Sequence, residues 1–111
     1  MKITYITHAC ILIETNGLKI LTDPWLVGPC WGGDLWNFPK HKFEINKMPK
    51  PDIICFSHGH DDHFHETSIA NFPKTWMNSL VVTPKFGVEW WEKEVTKKFK
   101  NVYFFNHNEK K

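Results

Sequence analysis

The stretch Ile53-Ile54-Cys55-Phe56-Ser57-His58-Gly59-His60-Asp61-Asp62-His63 decides how this sequence is interpreted. Its first four residues are apolar and are typical of a buried strand. They lead into three histidines and an aspartate with the spacing His-x-His-x-Asp-His. A strand that ends in this way places four potential ligands together at the edge of a sheet. We therefore predict a metal site there; a polar, His-rich turn without a metal is the alternative, and the number and spacing of the ligands argue against it.

The ligand types indicate which metals would bind. Imidazole nitrogen and carboxylate oxygen suit zinc, and also manganese or iron. His58 and His60 are two residues apart and can converge on one ion in an extended turn, while Asp62 and His63 can serve a second. Two ions about 3.5–4 Å apart can hold a bridging hydroxide and neutralise an oxyanion. We expect one or two Zn²⁺ ions, with Mn²⁺ or Fe²⁺ as alternatives.

The segments before the motif predict an antiparallel meander followed by a long loop. The strand-like segments are residues 2–6, 10–14 and 18–22. Asn16-Gly17 is typical of a type I′ turn between two of them, and proline in Asp23-Pro24 ends the third. Residues 24–51 contain five prolines and three tryptophans. A loop this long either faces a substrate or is pinned by its aromatic residues to close one end of the core.

The segments after the motif alternate between helix and strand. We predict a short helix over 66–71, a strand over 80–82, a helix that ends near residue 98 and a strand over 101–105. Thr83-Pro84 predicts the start of the longer helix, with Thr83 as N-cap and Pro84 as the first helical residue. An apolar stripe follows at helical spacing, formed by Val88, Trp91, Val95 and Phe99. The fold class is therefore α/β, with a mixed β-sheet and helices on one face.

The amino-acid composition favours some classes of protein and argues against others. The 111 residues are 41% hydrophobic, which suffices for one modest domain. All fourteen basic residues are lysines, and the lack of arginine argues against a nucleic-acid partner. No apolar run approaches the roughly 20 residues of a membrane span, and no signal peptide is recognisable. Cys10, Cys30 and Cys55 are widely spaced and are expected to be free thiols. We expect a cytoplasmic protein with a small-molecule substrate, without a nucleic-acid or membrane partner.

The motif His58-x-His60-x-Asp62-His63 resembles the signature of the metallo-β-lactamase fold. The segments THACILI at residues 7–13 and ILTDPW at residues 20–25 narrow the resemblance. They are similar to the branch that contains ascorbate-6-phosphate lactonase-like hydrolases and the metallo-β-lactamase-like part of CMP-N-acetylneuraminate hydroxylase. The stretch DPWLVG at residues 23–28 favours the hydroxylase-like members. The resemblance covers about the first 65 residues, and the rest agrees in element order.

The resemblance implies a role for each residue of the motif. His58 and His60 would bind a first metal ion, and Asp62 and His63 a second. Asp62 would also act in catalysis by handling the proton of the attacking water. These roles predict a metal-dependent hydrolase that uses a metal-activated hydroxide on an ester, lactone or phosphodiester-type bond.

Asp23 and four histidines lie outside the motif. Asp23 matches a carboxylate that orients a ligand histidine from behind, which fixes its tautomer. His8 matches a histidine near the pocket without an assigned role, and a histidine hydrogen-bonded at a strand end is the alternative. His65 is expected to face solvent. His107 is expected to be an ordinary histidine, and His41 has no assigned role.

The resemblance also implies that the domain is incomplete. The metallo-β-lactamase fold is an αββα sandwich of two similar halves, and residues 1–111 correspond to the N-terminal half. The remaining metal ligands come from the later half and have no counterpart here. The chain would therefore be inactive alone, and would need a missing C-terminal half or a second copy in a homo-oligomer. The alternative functions are the metal-binding part of a CMP-N-acetylneuraminate hydroxylase-like oxygenase system and a degenerate, non-catalytic module.

Overall fold

A computed structural model describes residues 1–33, 35–36 and 43–106. Within these residues, six strands form one mixed sheet in which the spatial order follows the chain order. The strands are β1 (Lys2–Thr7), β2 (Cys10–Thr15), β3 (Leu18–Thr22), β4 (Ile53–Cys55), β5 (Leu80–Pro84) and β6 (Val102–Phe105). The helices are α1 (Glu66–Ala70) and α2 (Glu89–Lys98), and short 3₁₀ turns lie at Trp31–Gly33, Ile45–Lys47 and Lys74–Asn78. The predicted α/β class and mixed sheet are confirmed.

The first three strands form the predicted meander. β1 pairs with β2 and β2 with β3, both antiparallel. Asn16 and Gly17 have φ angles of 49° and 79°, as a type I′ turn requires. From β3 onward the strands run parallel. Parallel strands need crossover connections, and these carry the long loop and both helices.

The core lies between one face of the sheet and the helices. Ile54 and Val81 in the central strands are fully buried. Trp91, Val95 and Phe99 place the predicted apolar stripe of α2 against them, at 0–3% exposure. The remaining stripe residue, Val88, is 37% exposed because it precedes the helix.

The predicted start of α2 is wrong. Thr83 and Pro84 belong to β5, where they pair with Phe104 and Phe105 of β6. The helix begins at Glu89, and Val88 occupies the N-cap position without a side-chain capping hydrogen bond. The local signal for a helix start was overridden because the parallel ladder with β6 continues through these residues.

The opposite face of the sheet carries apolar side chains that are partly exposed. On the edge strand, Ile3 is 61% and Tyr5 is 66% exposed. Strand pairing places them on the same face as a wider apolar set, formed by Ile11, Ile13, Ile20, Ile53, Val82 and Tyr103. We refer to these eight residues as the open face. Among the described residues, the two helices leave this face uncovered.

Within residues 1–33, 35–36 and 43–106, neither α1 nor α2 has the length and apolar character needed to cross a bilayer.

Candidate metal centre

Three strand ends supply the candidate site. His8 follows β1, Asp23 follows β3, and Ser57 begins the turn after β4. These three strands point the same way, so their carboxyl ends meet at one edge of the sheet. This edge is where open α/β sheets usually bind ligands. The motif of residues 58–63 therefore begins at a position suited to a functional site.

Three side chains at this edge form a group that could hold a metal ion. His8 Nε2 lies 2.8 Å from Asp62 Oδ2, and His63 Nε2 lies 3.4 Å from the same oxygen. One potential ligand atom from each of the three residues lies within 4.8 Å of the others. His8 is 54 positions away from Asp62 in the sequence. The structure thus adds His8 to the candidate ligands.

A second layer of hydrogen bonds holds His63 on its Nδ1 side, away from Asp62. Asp23 Oδ2 lies 3.0 Å from His63 Nδ1 and accepts a 2.7 Å hydrogen bond from the Ser57 hydroxyl. Asp23 Oδ1 accepts another 2.7 Å hydrogen bond from the Ser57 backbone amide. With the Nδ1 proton of His63 donated to Asp23, its Nε2 keeps a lone pair on the side of Asp62. This is the geometry predicted for Asp23, whose action on a metal ligand stays a prediction.

The same network reaches His58. Ser57 Oγ lies 2.8 Å from His58 Nδ1. Because the single hydroxyl proton of Ser57 goes to Asp23, its oxygen accepts the Nδ1 proton of His58. His58 Nε2 is then also left with a lone pair. Ser57 was not singled out in the sequence, and its place between a strand end and the first motif histidine is the signal that could have identified it.

The motif histidines lie together. The ring centres of His58 and His60 are 4.6 Å apart, and those of His58 and His63 are 4.1 Å apart. His58 and His60 do not belong to the close ligand group of His8, Asp62 and His63. The four predicted ligands are therefore neighbours, with two of them directly in the close group.

The electrostatics favour metal binding at neutral pH. Burial, followed by the closeness of the His63 and His60 rings, which disfavours a positive charge on His58, lowers the pKa of His58 and favours the neutral imidazole that metals bind. Burial alone would raise the pKa of Asp62. The hydrogen bond from His8, followed by the electrostatic interaction with the His63 ring, outweighs it, and the pKa of Asp62 is lowered. Asp62 is therefore an ionised carboxylate at pH 7.

The surroundings of one oxygen atom of Asp62 indicate whether this group of residues fits a cation. Asp62 Oδ1 is buried and accepts no hydrogen bond from the residues that the structure describes. A buried carboxylate oxygen without a partner is costly. It lies on a residue whose other oxygen is within 3.4 Å of two imidazole nitrogens. The donor set and the unpaired oxygen both fit a divalent metal ion.

The expectation for His65 is wrong. Its side chain is 2% exposed, with Nδ1 2.7 Å from Ser68 Oγ and Nε2 2.8 Å from the carbonyl oxygen of Pro29. Ser68 Oγ in turn accepts from the backbone amide of Leu26. His65 therefore fastens the loop after β3 to α1. His41 and His107 lie outside the described residues.

The tryptophans of the long loop differ in their positions. Trp25 is 1% exposed, donates a 2.8 Å hydrogen bond to the carbonyl of Gly28, and packs edge-on against His8. Trp31 is 46% exposed, and its ring centre lies 5.7 Å from that of His60. Its amide donates to Asp61 Oδ2 at 2.6 Å. Trp25 pins the loop, whereas Trp31 borders the site.

Comparison with known proteins places the chain in a superfamily. A family model described as a beta-lactamase superfamily domain matches residues 2–110. The chain belongs to this superfamily. The resemblance seen in the motif is thereby confirmed.

Curated relatives match a shorter part of the chain. The cytidine monophosphate-N-acetylneuraminic acid hydroxylase of Asterias rubens is 39% identical over 66 residues, which are 59% of this chain and 10% of that protein. The hydroxylase of Danio rerio is 30% identical over 75 residues, 67% of this chain and 13% of that protein. The matched part is thus about a tenth of the length of these relatives.

Solved structures match the fold over most of the chain. The isothiocyanate hydrolase from Delia radicum gut bacteria superposes with a TM-score of 0.71 at 21% identity, covering 95% of this chain and 41% of that one. A structure from Veillonella parvula, described as a possible metal-dependent hydrolase, has a TM-score of 0.71 at 18% identity and covers 92% and 41%. At these identities the likeness concerns the fold. The chain spans about two fifths of each.

Proposed function

We propose that this chain is the N-terminal part of a metal-dependent hydrolase that cleaves an ester, lactone or phosphodiester-type bond. The observation that carries this proposal is the convergence of His8, Asp62 and His63, together with Oδ1 of Asp62, which is buried and has no hydrogen-bond partner among the described residues. The membership of the chain in the beta-lactamase superfamily supports it. The substrate would be a small molecule.

The proposed ligands are the four motif residues, His58, His60, Asp62 and His63, with His8 as a fifth candidate. One or two Zn²⁺ ions are proposed, with Mn²⁺ or Fe²⁺ as alternatives. Such an ion, when bound, polarises a carbonyl or phosphoryl oxygen and lowers the pKa of water.

The residues of the chain itself hold and move protons. His8 fixes Oδ2 of Asp62 by a 2.8 Å hydrogen bond. The lowered pKa of Asp62 keeps it ionised, so its Oδ1 can either bind a cation or accept a proton from an attacking water. Asp23 and Ser57 keep His63 and His58 in the tautomers that leave Nε2 available. Asp62 is therefore the proposed catalytic residue, and Asp23 a positioning residue.

We propose that residues 1–111 form one half of the active domain and are inactive alone. The open face supports this proposal, because soluble monomers rarely leave so much apolar surface uncovered. The covering half would come from the same polypeptide or from a second copy of the chain. Such a half would also supply the metal ligands that this chain lacks.

A second candidate is the metal-binding part of a hydroxylase-like oxygenase system. The 39% identity to a cytidine monophosphate-N-acetylneuraminic acid hydroxylase favours it. A module that binds a metal without turnover is a further alternative. Saturable binding of CMP-N-acetylneuraminate without hydrolysis of simple esters would favour the oxygenase over the hydrolase.

The metal content of the purified chain tests the proposed site. We expect one or two ions per chain by elemental mass spectrometry, and loss of tight binding in the double variant His58→Ala/His60→Ala. Circular dichroism should show that the variant keeps its sheet, because neither residue lies in the core. Lys93→Ala, on the far side of α2, is the control and should bind as the parent does.

The ligand assignment is wrong if the double variant binds metal as tightly as the parent. Hydrolysis is tested separately, with 4-nitrophenyl acetate, a lactone and bis(4-nitrophenyl) phosphate. These assays need the assembled domain, so they are run on a complex or on the longer polypeptide that supplies the second half.

A further inference from the structure

An apolar cavity of about 350 Å³ adjoins the metal motif. His58 and His60 form one side of it, and the segment that joins β5 to α2 forms the other together with the first turn of α2. The side chains on that side are Phe86 and Val88 from the joining segment and Trp90 and Trp91 from the helix. Its volume lies at the lower end of the range for small-molecule pockets.

The walls of this cavity are aromatic and in part exposed. Trp90 is 63% and Phe86 47% exposed, although both are large apolar side chains. Trp90 and Trp91 stand nearly perpendicular, with ring centres 6.1 Å apart, and Phe86 lies 6.2 Å from Trp91. An additional ring could enter among them in the offset or edge-to-face arrangements that aromatic groups prefer.

Gly59 connects the motif to this cavity. A Cβ atom at residue 59 would lie 3.0 Å from Cε3 of Trp91 and 3.2 Å from Cη2 of Trp90. Such contacts are too close to form without displacing an indole ring. The glycine between the two histidines therefore allows the indoles to approach the proposed metal ligands.

We propose that this cavity binds an uncharged aromatic group of the substrate. The inference rests on the proposed function, because the ring would hold the scissile bond beside His58 and His60. The group is uncharged because the described side chains that line the cavity include no carboxylate and no lysine. It is aromatic because three rings form the walls. Trp90 and Phe86 would then determine specificity.

Binding is tested on the metal-free 111-residue chain, so that the result does not depend on the metal site. The probe is 2-phenylethanol, with ethanol as the control ligand, and the indole N–H signals are followed by ¹⁵N-labelled NMR. We expect saturable shifts of the Trp90 and Trp91 signals with 2-phenylethanol. Ethanol at the same concentrations should shift neither.

Two variants identify the binding position. Trp90→Ala should weaken binding roughly three- to tenfold, read on the Trp91 signal, and Trp90→Phe should restore most of it. Trp36→Ala is the matched control, because Trp36 is also 63% exposed and does not line the cavity. Phe86→Ala should weaken binding in the same way as Trp90→Ala.

The proposal is overturned if the indole signals show no saturable shift, if ethanol shifts them equally, or if Trp36→Ala weakens binding as much as Trp90→Ala. Failure of the hydrolase proposal would appear elsewhere, as an assembled domain that cleaves none of the ester, lactone and phosphodiester substrates. The two results are therefore distinguishable.

Discussion

At the scale of single residues, the candidate site contains backbone strain. His8 and Asp23 have φ angles of 52° and 34°, in the left-handed region that non-glycine residues rarely adopt. Such conformations persist where the surrounding structure holds them, and they concentrate at functional sites. Both side chains engage the motif, His8 through Asp62 and Asp23 through His63. The strain thus coincides with the contacts that shape the proposed metal centre.

Replacement of Asp23 by Asn should weaken metal binding. The side-chain nitrogen of Asn only donates, so in place of Oδ2 it accepts neither the Ser57 hydroxyl proton nor the Nδ1 proton of His63, and His63 loses its fixed tautomer. Loss of such an outer hydrogen bond typically costs about 10- to 100-fold in metal affinity. Competition with a chelating dye measures the effect.

Asp61→Asn is the matched control. Asp61 neighbours the predicted ligands in sequence, and its Oδ2 accepts from the Trp31 amide. We expect Asp61→Asn to bind metal nearly as the parent does. Equal affinities for the parent and Asp23→Asn would show that Asp23 does not position a ligand.

Cys10 should make stability fall at alkaline pH. Burial, and then the charge of Asp23, raise the pKa of the Cys10 thiol from 9.0 to about 12. Above pH 9 the unfolded chain loses this proton while the folded chain keeps it, so the free energy of unfolding falls as pH rises toward 12. The slope is at most about 1.4 kcal/mol per pH unit.

Urea denaturation under reducing conditions, at several pH values from 8 to about 11, measures this slope. Cys10→Ala should show a shallower decline than the parent, whatever its stability at pH 8. The same slope in both proteins would mean that another group causes the decline, and Cys30, with a pKa raised to about 11, is the next candidate.

Sequence reasoning found the motif residues because three histidines and an aspartate within six positions form a local pattern. It could not assign His8, whose partner Asp62 is 54 positions away. It also misjudged His65, whose burial depends on a contact with Pro29, 36 positions earlier. Contacts between residues so far apart in the sequence depend on the tertiary fold, and a local sequence pattern does not determine them.

At the scale of elements, the boundary between β5 and α2 shows how tertiary pairing decides between two local preferences. Thr83-Pro84 has the composition of a helix start. It also extends a run of β-branched residues, and β6 offers it a parallel partner. Pairing with β6 therefore keeps Thr83-Pro84 in the strand. Gly87, with a φ of 71°, provides the turn before the helix.

The substitution Thr83→Val distinguishes a strand position for Thr83 from a helix N-cap position. Thr83 is fully buried, and its hydroxyl has no hydrogen-bond partner among the described residues. In a strand, valine should leave stability unchanged or raise it by up to about 1 kcal/mol. Loss of an N-cap would instead cost about 1 kcal/mol. Thermal unfolding measures the difference.

Thr22→Val is the control for this substitution. Thr22 ends β3, and its hydroxyl donates to the carbonyl of Ala9 at 2.8 Å and accepts from the Ile11 amide at 3.0 Å. Removing it should lower stability by about 1–3 kcal/mol. If Thr83→Val destabilises the protein as much as Thr22→Val, the hydroxyl of Thr83 has a partner after all.

At the scale of the whole molecule, the open face should make the chain associate. Ile3 and Tyr5 are more than half exposed at the edge of that face. Light scattering coupled to size exclusion should show a dimer or larger species for the parent. The double variant Ile3→Lys/Tyr5→Lys should shift the population toward monomer, because two charges would have to be buried in the contact.

Trp36→Lys is the control, since Trp36 is equally exposed but lies in the loop outside the sheet. It should leave the association unchanged. A parent that stays monomeric at high concentration and binds no apolar dye would show that the open face needs no partner.

The order of the six strands also bears on how the protein is made. Every strand pairs with the one that precedes it in the chain. The sheet can therefore grow outward as the polypeptide leaves the ribosome, without waiting for a distant segment. The residues of the close ligand group and its supports, from His8 to His63, leave the ribosome before α2 and β6 do. During synthesis, the residues of the metal-binding edge are therefore outside the ribosome while the aromatic wall of the cavity is still inside it.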